Sequence, residues 1–123
     1  MLEPAEALPK RKRVAKRRDF LRTYEGGRKL FSRFVILFVS AADYEHSRLG
    51  VTATKKLGKA NVRNKLKRWT REIYRRQREP LGLDQQRLDI IVNVKPNAAD
   101  ASFADYRDDL ARVLGRVGRE AKR

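Results

Sequence analysis

The residues best placed to do chemistry are basic, and they are spaced for a helix. Within residues 58–78, Asn64, Lys67, Arg68, Arg71, Arg75 and Arg78 fall inside an arc of roughly 100° when each residue turns the chain by about 100°. At about 1.5 Å rise per residue this rail is on the order of 20 Å long, which spans several phosphates of a nucleic-acid backbone. Arg outnumbers Lys along it, and a guanidinium can hold two phosphate oxygens or stack on an unpaired base, which an ammonium cannot. A helix face kept outward only for solubility normally mixes signs. Here the nearby acids, Glu72 and Glu79, flank the rail, leaving its repulsion uncompensated, and the pattern favours nucleic-acid binding over a solvated face.

Groups that could break bonds unaided do not come together in the sequence. Enzymatic work by the protein would need a nucleophile with its base, paired carboxylates or metal ligands at workable spacing. Asp108 and Asp109 are adjacent on a helix and diverge, His46 stands alone in a polar turn, and there is no cysteine. Gly26-Gly27 follows a helix, so it is no phosphate-cradling loop between strand and helix. No catalytic residue and no protein metal site are therefore expected. The lack of cysteine also removes disulfides and suits a reducing compartment.

The 123 residues carry 31 Lys and Arg against 15 Asp and Glu, a net charge of +16, with 41% hydrophobic residues. That is enough apolar material for one modest core, and a field that attracts RNA, DNA or an anionic membrane. No apolar run approaches the roughly 20 residues that span a bilayer, and the N-terminus has no signal-like apolar stretch. The expected location is cytoplasmic, with no membrane partner.

The rail needs a scaffold, and the same helix supplies its attachment. Val62, Leu66, Trp69 and Ile73 form one apolar stripe opposite the cations. Residues 1–15 read as a flexible basic tail, with the run Lys10-Arg11-Lys12-Arg13 pointing to nucleic acid. Residues 19–24 read as a short helix that puts Phe20 and Tyr24 on one face, either as core plugs or as the lining of a stacking groove. Residues 34–39 form a strand apolar on both faces, hence inside a sheet. In residues 48–54, Leu49, Val51 and Ala53 face one way and Arg48, Thr52 and Thr54 the other. Residues 80–86 are a loop, and 88–94 a third strand with Asp89 and Asn93 opposite its apolar face. Ser102-Phe103-Ala104-Asp105 resembles a capping box that opens a charge-balanced scaffold helix to about Val117.

This order predicts an α+β fold, a small sheet covered by helices in a two-layer sandwich, with a single RNA-binding domain over residues 16–119 and a C-terminal tail at 120–123. With the first helix at the edge of the polar face, Phe20, Tyr24 and Phe38 would line a groove with Thr52, Thr54 and Lys56 nearby.

The run Thr54-Lys55-Lys56-Leu57-Gly58-Lys59-Ala60, followed by Arg63-Asn64-Lys65-Leu66-Lys67-Arg68-Trp69-Thr70-Arg71-Glu72, resembles the signature of the bacterial ribonuclease P protein subunit. The resemblance extends from about Lys16 through Asp19-Phe20, Tyr24 and Gly27 to the Ser102-Phe103-Ala104 helix start. It implies an αβββαβα order with four strands, one more than the residues themselves locate, and a left-handed βαβ crossover against the usual rule. It further implies that a catalytic RNA, using magnesium, cleaves the 5′ leader from precursor tRNA while the basic protein assists. Ribonuclease P RNA and precursor tRNA would be the partners, with no obligate protein partner. On this reading Arg63, Asn64, Lys65, Lys67, Arg68, Arg71 and Arg75 are the expected RNA contacts, and Phe20, Tyr24, Phe38, Thr52 and Lys56 the leader groove. Lys65 stands where the family commonly has Arg, keeping the charge but not the fork.

Rival readings share the charge. A ribosomal protein or general RNA chaperone would need no aromatic groove for one single strand, so substituting Phe20 and Phe38 separates them from a ribonuclease P subunit. A DNA regulator would put base-reading side chains on the exposed helix, where this one carries phosphate-seeking charge. A membrane-surface helix would need its apolar stripe free, and a domain this small needs Trp69 and Ile73 in its core.

Overall fold

The computed structural model describes residues 8–42 and 44–121. In chain order it has α1 (Arg17–Gly26), β1 (Arg28–Phe31), β2 (Val35–Ala41), β3 (Arg48–Thr52), α2 (Ala60–Gln77), a one-turn α3 (Leu83–Gln86), β4 (Leu88–Val94) and α4 (Phe103–Ala121). Short 3-10 turns at Lys10–Lys12, Lys55–Leu57 and Pro96–Asp100 join them. The strands form one sheet in the order β1-β2-β4-β3, antiparallel except for the β3 and β4 pair, which is parallel with α2 in the connection between them. The architecture is the expected α+β one.

Strand pattern decides which face goes where. Val35, Leu37 and Val39 of β2, with Ile90, Val92 and Val94 of β4 and Leu49 of β3, point to one face and meet Leu66, Ile73 and Tyr74 of α2 and Tyr106, Leu110 and Leu114 of α4. The seam expected on α2 is therefore the one used, and Trp69 and Val62 pack at its margin. Thr70 is buried there too. It donates to the Leu66 carbonyl at 2.7 Å, and its oxygen lies 2.6 Å from the Tyr106 hydroxyl, which joins the two helices. At the start of α4 the Asp105 amide donates to Ser102 Oγ at 3.1 Å, the cap its sequence announces.

The fourth strand, β1, is the one the residue pattern did not locate. It has four residues, and only Leu30 is buried, so it carries too little alternation to register as a strand. Residues 80–86, expected to be loop throughout, contain α3, which Leu83 anchors in the core.

The opposite face of the sheet is also covered, by α1, which packs over β2 and β4. Gly50 makes this approach possible: a Cβ there would stand 2.9 Å from the Phe20 ring. Beneath α1 lies an ionic cluster. Arg48 donates to both Asp89 oxygens at 2.9 and 2.7 Å, Arg22 reaches the same carboxylate at 2.8 Å, and Asp19 is 3.4 Å from Arg48. Arg48, which the strand pattern sets opposite the apolar side of its strand, is buried in this cluster.

The N-terminal boundary also differs from expectation. The sequence places residues 8–15 in a flexible tail, yet Leu8 joins the core, Val14 is buried, and the Val14 amide donates to the Leu49 carbonyl at 2.8 Å. The open edge of β3 offers the backbone partners, and two apolar side chains supply the burial. Residues 1–7 of that tail, and residues 122 and 123 of the C-terminal one, lie outside the described residues.

Candidate nucleic-acid interface

The outward side of α2 starts at Gly58, whose φ of 140° makes the turn that a side chain would strain. Asn64 and Arg68 are exposed, and Lys67 and Arg71 are half-buried along the same side. Arg63 is half-buried as well, and its Nε is enclosed with no hydrogen-bond partner among the described residues. Burial and, second, the charge of nearby Arg13 both disfavour the Arg71 cation. A bound phosphate would relieve that penalty. Arg13 was not among the expected contacts. It is held beside the rail because the N-terminal segment docks on β3, which no spacing within α2 could reveal.

Two expected contacts have other engagements. Lys65 lies over the Trp69 ring, 4.9 Å from its centroid, on the flank toward α4. Arg75 pairs with Glu72 at 2.7 Å, and Arg76 pairs with the same carboxylate at 2.6 Å. Glu72 is held below the usual carboxylate range, first by the Arg75 hydrogen bond, against burial, and then by Arg76. The repulsion expected along the rail is thus offset at its C-terminal end by Glu72. Arg78 shares Asp84 with Lys12, at 3.1 and 3.4 Å.

The groove residues come together on the α1 side of the sheet. Tyr24 meets Phe38 edge-on, with centroids 4.7 Å apart, and Phe20 lies 6.3 Å from Tyr24. The Tyr24 hydroxyl donates to Asn93 Oδ1 at 2.8 Å and lies 2.9 Å from Thr52 Oγ1. Phe38 is 9% exposed, tucked beneath Tyr24 with Lys29 over its ring. What it offers is therefore a floor more than an open ring. Lys56 is exposed on the turn joining β3 to α2, between groove and rail.

Register shows which part of this face stays open. Thr52, Asn93, Ile36 and Phe31 occupy one row across β3, β4, β2 and β1. All four are half-buried or exposed, whereas Gly50, Ile91 and Phe38 of the next row are buried. Ile36, Asn93 and Phe31 were not among the expected site residues. Asn93 had a signal, as a polar residue in an otherwise apolar strand, while Ile36 was concealed in an apolar run.

A family model described as Ribonuclease P matches residues 8–118. The chain belongs to the ribonuclease P protein family. It is 36% identical to the ribonuclease P protein component of Syntrophus aciditrophicus over 87% of each chain. The solved RNase P protein of Staphylococcus aureus matches with a TM-score of 0.79 at 32% identity, covering 86% of this chain and 94% of that one. That of Thermotoga maritima gives 0.75 at 33% identity, covering 85% and 96%. Among the described residues no helix is long and apolar enough to cross a membrane, and no three His, Cys, Asp or Glu side chains gather as a metal site would require.

Proposed function

We propose that this chain is the protein subunit of ribonuclease P, acting with a catalytic RNA in the endonucleolytic 5′ maturation of precursor tRNA in the cytoplasm. Family membership supports a part in tRNA processing within a ribonucleoprotein. The observation that carries the division of labour is the adjacency of two surfaces of unlike chemistry: a guanidinium-rich helix face and an aromatic, hydroxyl-bearing row, with Lys56 on the turn between them.

In this reading Asn64, Lys67, Arg68 and Arg71, with Arg63, contact the catalytic RNA. Lys65 and Arg75 contribute charge from positions already partnered by Trp69 and Glu72. The strip formed by Tyr24, Phe38, Thr52 and Lys56, backed by Phe20, holds the 5′ leader as a single strand. Tyr24 presents a ring for stacking, and its hydroxyl bonds fix the ring's orientation. Binding the leader supplies energy away from the scissile bond that can be used to orient it. Magnesium is held by RNA phosphates, and the protein's cations lower the repulsion that opposes folding RNA around it.

The test is precursor tRNA cleavage by a bacterial ribonuclease P RNA at low magnesium, with and without the protein. Wild type should restore cleavage and Arg68→Ala should restore less. Tight RNA binding without rescue, across several bacterial RNAs, would replace this reading with that of a ribosomal protein or RNA chaperone.

A further inference from the structure

The open row of the sheet continues past the residues assigned to the leader. At its far end Phe31 is 61% exposed, the largest exposure among the described large hydrophobic side chains. With strands about 4.8 Å apart, Phe31 lies about 14 Å from Thr52 across the sheet, room for a few nucleotides. The rail and Lys56 adjoin β3, whereas Phe31 sits on β1 at the opposite edge.

A single exposed apolar side chain is ordinary. The surroundings of this one are not. Phe31, Arg33, Asp109, Arg112, Val113 and Arg116 line an open hollow of about 200 Å³. Its acid is already committed: Asp109 is buried and accepts from Ser32 Oγ at 2.8 Å, the Phe34 amide at 2.9 Å and the Arg33 amide at 3.2 Å. Arg112 stands 3.4 Å from Asp109, and Arg116 reaches the Phe31 carbonyl at 3.4 Å. Two guanidiniums of α4 thus line, around the strand edge, the same hollow as the exposed ring, beside a carboxylate that is spent on holding the β1-to-β2 turn. That combination suits a base on the ring and phosphates on its rim.

We propose that Phe31, with Arg112 and Arg116, forms a second stacking site for single-stranded RNA, taking a leader base farther from the cut than those in the groove. The inference rests on the groove reading above. Charge favours RNA over the other candidate occupant, a second copy of this chain docking on the β1 edge. Such a copy would bring Arg28, Lys29, Arg112 and Arg116 against their own kind.

The experiment measures affinity of the holoenzyme for precursor tRNAs whose leaders are lengthened one nucleotide at a time. The protein variants are Phe31→Ala, Phe31→Trp, the pair Arg112→Ala with Arg116→Ala, and Tyr24→Ala. Wild type should gain affinity in two steps as the leader first fills the groove and then reaches the edge. Phe31→Ala should lose the second step, about ten-fold, and leave binding of short leaders unchanged. Phe31→Trp should keep that step, and the arginine pair should weaken it and flatten its salt dependence. Phe31→Ala equal to wild type at every length, with Tyr24→Ala still losing the first step, would overturn the inference and leave the groove reading intact. Loss of neither step would overturn both. Sedimentation showing a holoenzyme dimer that Phe31→Ala dissociates would assign the ring to protein contact instead.

Discussion

The two faces of this sheet are held by unlike forces. The α2 and α4 face is closed by aliphatic and aromatic side chains, with Thr70 and Tyr106 bonded to each other across the two helices. The α1 face adds charge and hydroxyl bonds to a smaller aromatic contact: Arg48 and Arg22 on Asp89, and Tyr24 on Thr52 and Asn93, beside the Tyr24 and Phe38 pair. A helix fixed by directional bonds leaves the row beside it open to a ligand, whereas a helix fixed by burial must seal the surface it covers. Apolar packing is therefore concentrated on the first face, and the proposed recognition surfaces are the second face and the outward side of α2.

Substitutions on each face can break or sharpen that contrast. The largest effect should be Asp89→Ala, which removes the carboxylate that Arg48 bonds twice in a buried site and leaves it Asp19 at 3.4 Å. Urea unfolding should show a loss of about 3–5 kcal/mol. Leu110→Ala, on the sealed face, should cost about 2–5 kcal/mol, and because it removes packing alone its cost should be insensitive to salt. Equal salt dependence for the two would remove the distinction between the faces. The pair Arg68→Ala and Arg71→Ala should barely change the unfolding midpoint, while flattening the salt dependence of RNA binding by roughly one unit of log–log slope per lost phosphate contact. Tyr24→Phe should cost about 1 kcal/mol through its two lost hydroxyl bonds, and should weaken leader binding less than Tyr24→Ala, since the ring remains.

The smallest effect concerns the sealed face at high pH. Burial is the main cause that pushes the Tyr74 and Tyr106 phenols above the ordinary 10.0. The folded protein thus holds these protons more tightly than the unfolded chain. Stability should be intact below about pH 10 and should fall as pH rises beyond it, read as a declining urea midpoint.

Much of this was legible because periodicity reports burial. The stripe Val62, Leu66, Trp69 and Ile73 faces the core, and Ser102 caps α4, since each depends on neighbours within a turn or two. The clustering of Phe20, Tyr24 and Phe38 was legible but its depth was not, because the covering of Phe38 depends on Tyr24 and on Lys29 of an unassigned strand. Thr70, Asp89 and Asp109 look like surface residues in a sequence. They are buried because partners 36, 41 and 75 positions away complete their hydrogen bonds.

Composition and spacing by themselves determined a basic α+β domain and the two opposed sides of α2. Local repeats carry that information because a helix or strand presents its side chains at a fixed pitch. Only tertiary structure decided that residues 8–14 belong to the domain, that Arg13 stands by Arg71, that Glu72 neutralises the end of the rail, and that Phe31 ends an open row. Each of these follows from which strand lies beside which, and strand order is set by pairing and packing between segments far apart in the chain.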